Sequence, residues 1–77
     1  MEKEIETFEQ YVQRKGLKYS GKRNSVLKAF LKSDRHVSAE ELFHLVKQDH
    51  PDIGYTTVYR TLKLIEGSGI ADVFNFN

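Results

Sequence analysis

The sequence predicts a mainly α-helical domain with a small β wing: a winged helix-turn-helix with an additional N-terminal helix. Three observations lead to this prediction. Apolar residues recur at helical spacing in separate segments of the 77-residue chain. A short connection that contains a proline joins the last two helical segments. The residues that follow, 70–77, are rich in Val and Phe, as strands are.

The first two helices are predicted from apolar stripes and from residues that start or stop helices. Helix one covers about Glu2 to Lys15, and Gly16 is placed as its C-terminal stop. Helix two starts near Ser20, a good N-cap, and runs to about Lys32. The apolar residues of these two helices are Ile5, Phe8 and Val12, followed by Val26, Leu27, Phe30 and Leu31.

The third helix has the clearest predicted start, because Ser38-Ala39-Glu40-Glu41 has the pattern of a capping box. Pro51 requires this helix to end before it. The fourth helix is predicted over about 56–66, closed by Gly67-Ser68-Gly69. The predicted apolar residues of the third helix are Ala39, Leu42, Phe43, Leu45 and Val46.

The fourth helix has two faces of different character. An apolar set recurs at i, i+4 and i+7, and a polar set recurs at i, i+3, i+4 and i+7 on another side. These sets are Val58, Leu62 and Ile65, and Thr56, Tyr59, Arg60 and Lys63. A helix that packs one face on a core and presents such polar side chains suits insertion into a groove of nucleic acid. After the third helix and the turn, it occupies the position of a recognition helix.

Charge is unevenly distributed along a chain whose net charge is +1. Every charged residue from Tyr11 to Ser33 is basic, and Arg60 and Lys63 are the only charged residues from Ile53 to Ile65. Two such acid-free stretches predict a polarised surface, the expected footprint of phosphate binding. The alternative is that the basic residues form solvated faces with no ligand.

Composition argues against several classes of function. A chain of 77 residues forms at most one small domain, over 1–77, with little core to form the walls of a catalytic pocket. It has no cysteine, so it holds no disulfide and no thiolate metal site. No apolar run approaches the roughly 20 residues of a membrane span, so we expect no membrane partner and a cytoplasmic location. No nucleophile–base pair or pair of catalytic acids can be assembled, so we expect no enzyme.

Several segments resemble the ferric uptake regulator family. The most specific is Ile53-Gly54-Tyr55-Thr56-Thr57-Val58-Tyr59-Arg60-Thr61-Leu62, which follows His36-Val37-Ser38-Ala39-Glu40-Glu41-Leu42-Phe43. The likeness extends to Gly16-Leu17-Lys18, Ser20, Arg23, Ser68-Gly69-Ile70 and Phe74-Asn75-Phe76. The resemblance implies the N-terminal DNA-binding domain of a metal-responsive bacterial transcription repressor, with double-stranded DNA as its partner.

The resemblance also implies that part of the protein lies beyond Asn77. The family's C-terminal domain dimerises and carries most of the metal ligands. We therefore expect no cofactor within this fragment, but a divalent metal (iron, zinc or manganese) in the full-length protein. A homodimer is expected for the full-length protein, whereas a monomer is compatible with the fragment.

The candidate DNA contacts lie on the fourth helix and around the start of the second. By resemblance, Tyr59 contacts thymine methyl groups and Arg60 reaches base edges or phosphate. Thr56 and Thr57 lie where amides at a helix start can meet a phosphate, although N-capping alone would explain one of them. The complete set is Lys18, Tyr19, Arg23, Thr56, Thr57, Tyr59, Arg60 and Lys63.

Lys18, Tyr19 and Arg23 form the second group of candidates. By resemblance, Lys18 enters the adjacent minor groove, where narrow A/T-rich DNA concentrates negative potential; a solvated loop lysine is the alternative. Arg23 lies in the first turn of helix two, where the helix dipole disfavours a cation. A bound phosphate would explain that placement.

His36 is the candidate metal ligand. The resemblance implies that its position, just before the capping box, supplies one ligand of the regulatory metal site. A lone histidine cannot hold a transition metal ion, because such sites need three or more ligands in a fixed geometry. We therefore expect His36 to be a latent ligand that is completed by residues beyond Asn77.

The leading functional hypothesis is sequence-specific recognition of A/T-rich operator DNA. The recognition helix, about 56–66, would lie in the major groove, and metal would drive dimerisation of the intact protein. The alternative is a winged-helix protein–protein interaction module that binds an acidic partner through the same surface. Tyr59 and Arg60 would then be interface hot spots, since both residue types are enriched there.

Overall fold

The structure is a computed structural model that describes residues 2–70. These residues form four helices: α1 (Glu2–Arg14), α2 (Gly21–Lys32), α3 (Ala39–Asp49) and α4 (Tyr55–Ser68). Their ends agree with the sequence prediction to within about two residues. The predicted wing strand falls on 71–77, outside the described residues, apart from Ile70, which lies in a turn after α4. Residues 2–70 contain no strand.

Side chains predicted to cap α2 and α3 do so. The Ser20 hydroxyl accepts a hydrogen bond from the Arg23 amide over 3.1 Å. At α3, the Ser38 hydroxyl accepts from the Glu41 amide over 3.1 Å, and the Glu41 carboxylate accepts from the Ser38 amide over 2.8 Å. Two amides that the helix itself cannot pair are thereby satisfied, which confirms the predicted capping box.

All four helices and the connection before α4 contribute to one apolar core. α4 packs against α1, α2 and α3, so it is held from several sides. None of the helices within residues 2–70 is long and apolar enough to cross a membrane. The buried core residues are Phe8, Val12, Val26, Leu27, Phe30, Leu31, Leu42, Val46, Ile53, Val58, Leu62 and Ile65.

Two details of α3 and α4 differ from the prediction. Leu45 was predicted on the apolar face of α3 but is 40% exposed. The stripe that packs runs through Leu42 and Val46, and helical spacing places Leu45 at its edge. α4 begins at Tyr55 and continues through Gly67, so the predicted limits of 56–66 were too narrow. The residue that ends it is Gly69, whose φ of +88° is the left-handed conformation typical of a helix C-terminus.

Gly67 permits the close approach of α1 to the end of α4. A Cβ atom at this position would lie 3.0 Å from Cζ of Tyr11 and would collide with the Tyr11 hydroxyl oxygen. The phenol of Tyr11 thus occupies the space that a side chain would otherwise fill. Because glycine has no side chain, α1 can pack closely against α4 and help to hold α4 on the core.

An ion pair connects the start of α1 to the α2–α3 connection. Arg35 Nη2 donates a hydrogen bond to Glu4 Oε2 over 2.6 Å. This bond holds the pKa of the Glu4 carboxyl below its ordinary value, because it favours the charged form. Arg35 has a φ of +66°, a conformation that few non-glycine residues adopt. The strained residue and its ion pair lie next to His36.

Candidate nucleic-acid interface

The two predicted faces of α4 differ sharply in exposure. Val58 and Ile65 are fully buried and Leu62 is nearly so, which confirms the apolar face. The polar set is on the surface: Thr56, Tyr59, Arg60 and Lys63 are all exposed. The buried face fixes the helix, and the exposed face is available to a ligand.

Thr61 belongs to the buried face, although the sequence analysis assigned it to neither face. Its side chain is 2% exposed, and its hydroxyl donates a hydrogen bond to the Thr57 carbonyl oxygen over 2.7 Å. A threonine can be buried in a helix in this way, because the carbonyl one turn earlier satisfies its hydroxyl. Thr57 itself is half-buried and turns less of its side chain to solvent than Thr56 does.

The start of α4 has no side-chain cap. The N-cap residue is Gly54, in an extended conformation, and the helix begins at Tyr55. The alternative explanation of Thr56 or Thr57 as an N-cap is therefore wrong, because both lie inside the first helical turn. The amides at a helix start carry partial positive charge and can donate to an anion.

A row of ring contacts runs from α3 along the exposed face of α4. The rings of Tyr55 and Tyr59 are stacked, with centroids 6.3 Å apart and planes at 23°. Phe43 packs edge-on against Tyr55 with centroids 5.7 Å apart. Lys63 Nζ lies 5.6 Å from the centroid of the Tyr59 ring. Tyr55 is missing from the predicted contacts, although its i, i+4 spacing to Tyr59 indicates that the two side chains are neighbours.

The second group of candidates surrounds the connection between α1 and α2. Lys18 and Tyr19 are exposed, and Tyr19, at 74%, is the most exposed of the large hydrophobic side chains among residues 2–70. Arg23 Nη1 donates a hydrogen bond to the Lys18 carbonyl oxygen over 2.9 Å. The unfavourable position of Arg23 near a helix start is thus compensated within the protein. Arg23 joins the loop that carries Lys18 to the first turn of α2.

His36 is exposed in the connection before α3. Its amide donates to Asp34 Oδ1 over 2.9 Å, and its Nδ1 lies 3.1 Å from the Asp34 carbonyl oxygen. Within residues 2–70, no three His, Cys, Asp or Glu side chains are grouped to hold a metal ion. Any metal at His36 would therefore need ligands from outside the described part of the chain.

Comparison with known proteins gives a consistent result. A sequence profile described as the Ferric uptake regulator family matches residues 14–77. The chain is 38% identical over 74 residues to the Ferric uptake regulation protein of Campylobacter jejuni, covering 94% of this chain and 47% of that one. It is 34% identical over 77 residues to the protein of the same name in Bacillus subtilis, covering 99% and 52%.

A third relative extends the same pattern. The Ferric uptake regulation protein of Campylobacter upsaliensis is 42% identical over 64 residues, which cover 80% of this chain and 41% of that protein. The chain thus spans about half the length of the curated relatives it matches. No solved structure matches it. The profile match and these identities confirm the resemblance seen in the sequence: the chain belongs to the ferric uptake regulator family.

Proposed function

We propose that this chain is the N-terminal DNA-binding domain of a metal-responsive bacterial transcription repressor that acts in the cytoplasm as a homodimer. In this proposal α4 recognises A/T-rich operator DNA in the major groove. One observation carries it: α4 is fixed by a buried face and presents Tyr59, Arg60 and Lys63 on the exposed one. Family membership supports it, since the relatives are named for the regulation of ferric uptake.

Each exposed side chain of α4 has a contact that suits its chemistry. The guanidinium of Arg60 can donate two hydrogen bonds to guanine O6 and N7, or it can pair with a phosphate. The ring edge of Tyr59 offers an apolar contact to the methyl group of thymine. Lys63 supplies a positive charge for the backbone. At the helix start, Thr56 and Thr57 bring their amides within reach of a phosphate.

The loop before α2 supplies the flanking contacts in this proposal. Lys18 extends into the minor groove next to the site of α4, where A/T-rich DNA is narrow. One N–H group of the Arg23 guanidinium binds the Lys18 carbonyl oxygen. An arginine has five N–H donors, so the rest of the group can contact a phosphate while it supports the loop. Tyr19 adds an exposed ring beside Lys18.

His36 contributes one metal ligand in the intact protein. Imidazole suits iron and zinc, and the exposed position of His36 fits a ligand shared with another part of the protein. The remaining ligands would come from residues after Asn77, because the described residues contain no group of three. The metal ion (iron, zinc or manganese) would link His36, in the connection before α3, to those ligands. This link would promote dimerisation.

Equilibrium binding at several salt concentrations tests the DNA-binding proposal. The intact, metal-loaded protein is titrated with an A/T-rich duplex and with a G/C-rich duplex of equal length. We expect tighter binding to the A/T-rich duplex. We also expect log K to fall linearly with log salt concentration, with a slope of about −0.9 for each phosphate neutralised.

The second candidate function is a protein–protein interaction module. It is favoured by the low net charge of +1, since domains that bind nucleic acid are usually more basic. An exposed Tyr59 beside an exposed Arg60 also suits a protein interface. If the intact, metal-loaded dimer binds neither duplex at low salt, this candidate replaces the first.

A further inference from the structure

We propose that Tyr55 is a second aromatic contact to the operator, and that it recognises a thymine methyl group two base-pair steps from the thymine that Tyr59 contacts. This inference rests on the proposed function, because it adds a residue to the same DNA-binding face. Tyr55 was not among the candidate DNA contacts predicted from the sequence.

Tyr55 lies at the end of α4 that would enter the groove first. It is the first residue of the helix, and it is 43% exposed, close to the 46% of Tyr59. In helix-turn-helix proteins the N-terminal residues of the recognition helix contact base edges. An exposed ring at this position is therefore within the part of the helix that meets the bases.

The spacing of the two rings matches the spacing of base pairs. The centroids of Tyr55 and Tyr59 are 6.3 Å apart, and their planes are tilted by only 23°. Successive base pairs rise by about 3.4 Å, so two steps cover about 6.8 Å. Two nearly parallel rings at this distance can present their edges to alternate base pairs. In the major groove thymine is distinguished by its C5-methyl group, which can make an apolar contact.

The packing around the rings indicates that this pair is formed before DNA binds. Phe43 of α3 is half-buried and supports Tyr55 from one side, with ring planes at 76°. Lys63 lies against Tyr59 at the other end. Lys47 Nζ lies 5.2 Å from the centroid of the Phe43 ring, so the ring that supports Tyr55 has a contact of its own. Side chains held in this way lose less conformational entropy on binding than mobile ones would.

Removal of single methyl groups from the DNA tests the inference. An operator is first selected from a randomised duplex library with the intact, metal-loaded protein. Each thymine is then replaced in turn by deoxyuridine, which deletes only the methyl group. Affinities are measured for the wild type, Tyr55→Ala, Tyr55→Phe, Tyr59→Ala and Leu45→Ala. Leu45 is a matched control, because it is an exposed apolar residue of the same helix as Phe43, and helical spacing points it away from Phe43.

We expect two sensitive thymines, two steps apart, in each half-site. Loss of either methyl group weakens wild-type binding about fourfold, the equivalent of about 0.8 kcal/mol for one buried apolar carbon. Tyr55→Ala abolishes the penalty at one position and Tyr59→Ala abolishes it at the other. Tyr55→Phe and Leu45→Ala retain both penalties. Tyr55→Ala could also lower the thermal midpoint of unfolding. In that case the methyl penalties are measured with Tyr55→Gln, which removes the ring but keeps a long side chain that is compatible with a helix.

Two other outcomes overturn the inference in distinguishable ways. If Tyr59→Ala removes a methyl penalty but every penalty persists in Tyr55→Ala and Tyr55→Gln, Tyr55 makes no contact and the DNA-binding function stands. If the wild type selects no sequence from the library, the proposed function fails and the role of Tyr55 fails with it.

Discussion

At the scale of single residues, Arg23 shows how a cation can occupy the first turn of a helix. Its amide donates to the Ser20 hydroxyl, and its guanidinium donates to the Lys18 carbonyl oxygen. Both bonds return to the loop that carries the exposed Lys18 and Tyr19. Arg23 therefore positions the loop that carries Lys18, the candidate minor-groove residue. Its remaining N–H donors can still bind a phosphate.

Substitution Arg23→Gln should loosen this loop. The lost hydrogen bond contributes about 1 kcal/mol at most to the free energy of local opening of this loop. Its loss therefore increases the population of molecules with an open loop by up to about fivefold. We expect trypsin to cleave after Lys18 up to about fivefold faster, as measured by mass spectrometry of a digestion time course. Lys22→Gln is the control, since it removes a neighbouring exposed charge and leaves the Arg23 bond intact. Equal rates in the two variants would contradict the positioning role.

Individual site residues were predictable where helical spacing alone decides exposure. Val58, Leu62 and Ile65 are buried as their spacing requires. Thr61 was not predictable, because its burial depends on a hydrogen bond to the Thr57 carbonyl oxygen and not on its own polarity. Tyr55 was missed as a contact, although its i, i+4 spacing to Tyr59 could have indicated it. Its contact with Phe43 was not predictable, because it depends on how α3 packs against α4.

At the scale of elements, the capping box fixes where α3 begins. Ser38→Ala removes the hydroxyl that accepts the Glu41 amide. We expect the free energy of unfolding to fall by about 1 kcal/mol, measured by urea denaturation. Ser25→Ala is the control: its hydroxyl donates to the Gly21 carbonyl oxygen inside α2, a bond that adds little to helix stability. Equal losses in the two variants would show that the box contributes nothing specific.

The contact between α1 and α4 gives a second prediction for an element. Alanine favours a helix over glycine by about 1 kcal/mol, so Gly67→Ala would stabilise an isolated α4. In the folded domain the new Cβ collides with Tyr11, and we expect a net destabilisation of about 1–3 kcal/mol in urea denaturation. In a Tyr11→Ala background the same change should be neutral or stabilising. A stabilising effect in the wild-type background would contradict the packing.

The helices themselves were largely predictable, since each combines an apolar stripe with a cap or a stop residue. Ser20, Ser38 and Gly69 all act at helix ends through local bonds or backbone conformation, which sequence reveals directly. The exposure of Leu45 was not predictable in the same way. It depends on how far α3 is rotated about its axis, and only packing against α2 and α4 fixes that rotation.

At the scale of the whole molecule, the Glu4–Arg35 pair links the first helix to the connection before α3. The folded state lowers the pKa of Glu4 from its ordinary value of 4.5, first because Arg35 donates a hydrogen bond to it. A carboxyl with a lowered pKa stabilises the fold above its ordinary pKa, and this contribution is lost as the pH falls through the folded-state value.

Glu4→Gln should therefore lower the thermal midpoint near neutral pH, with a difference that shrinks as the pH falls below 4.5. The measurement is a series of thermal melts of both proteins between about pH 3 and pH 7. Glu6→Gln is the matched control, because it replaces an exposed glutamate of the same helix and leaves the Glu4–Arg35 pair intact. A difference that grows towards acid pH would contradict the assigned ion pair.

The exposed face of α4 is the surface that we propose to recognise operator DNA. The most direct measurement compares dissociation constants for the selected operator and a random duplex, at one salt concentration, for the intact metal-loaded protein. The variants are Arg60→Ala and Arg14→Ala, which remove the same charge from α4 and from the exposed end of α1. We predict that Arg60→Ala weakens operator binding at least fivefold, from a contact of about 1–3 kcal/mol, while Arg14→Ala keeps the operator preference. Unchanged operator affinity in Arg60→Ala would contradict this proposal.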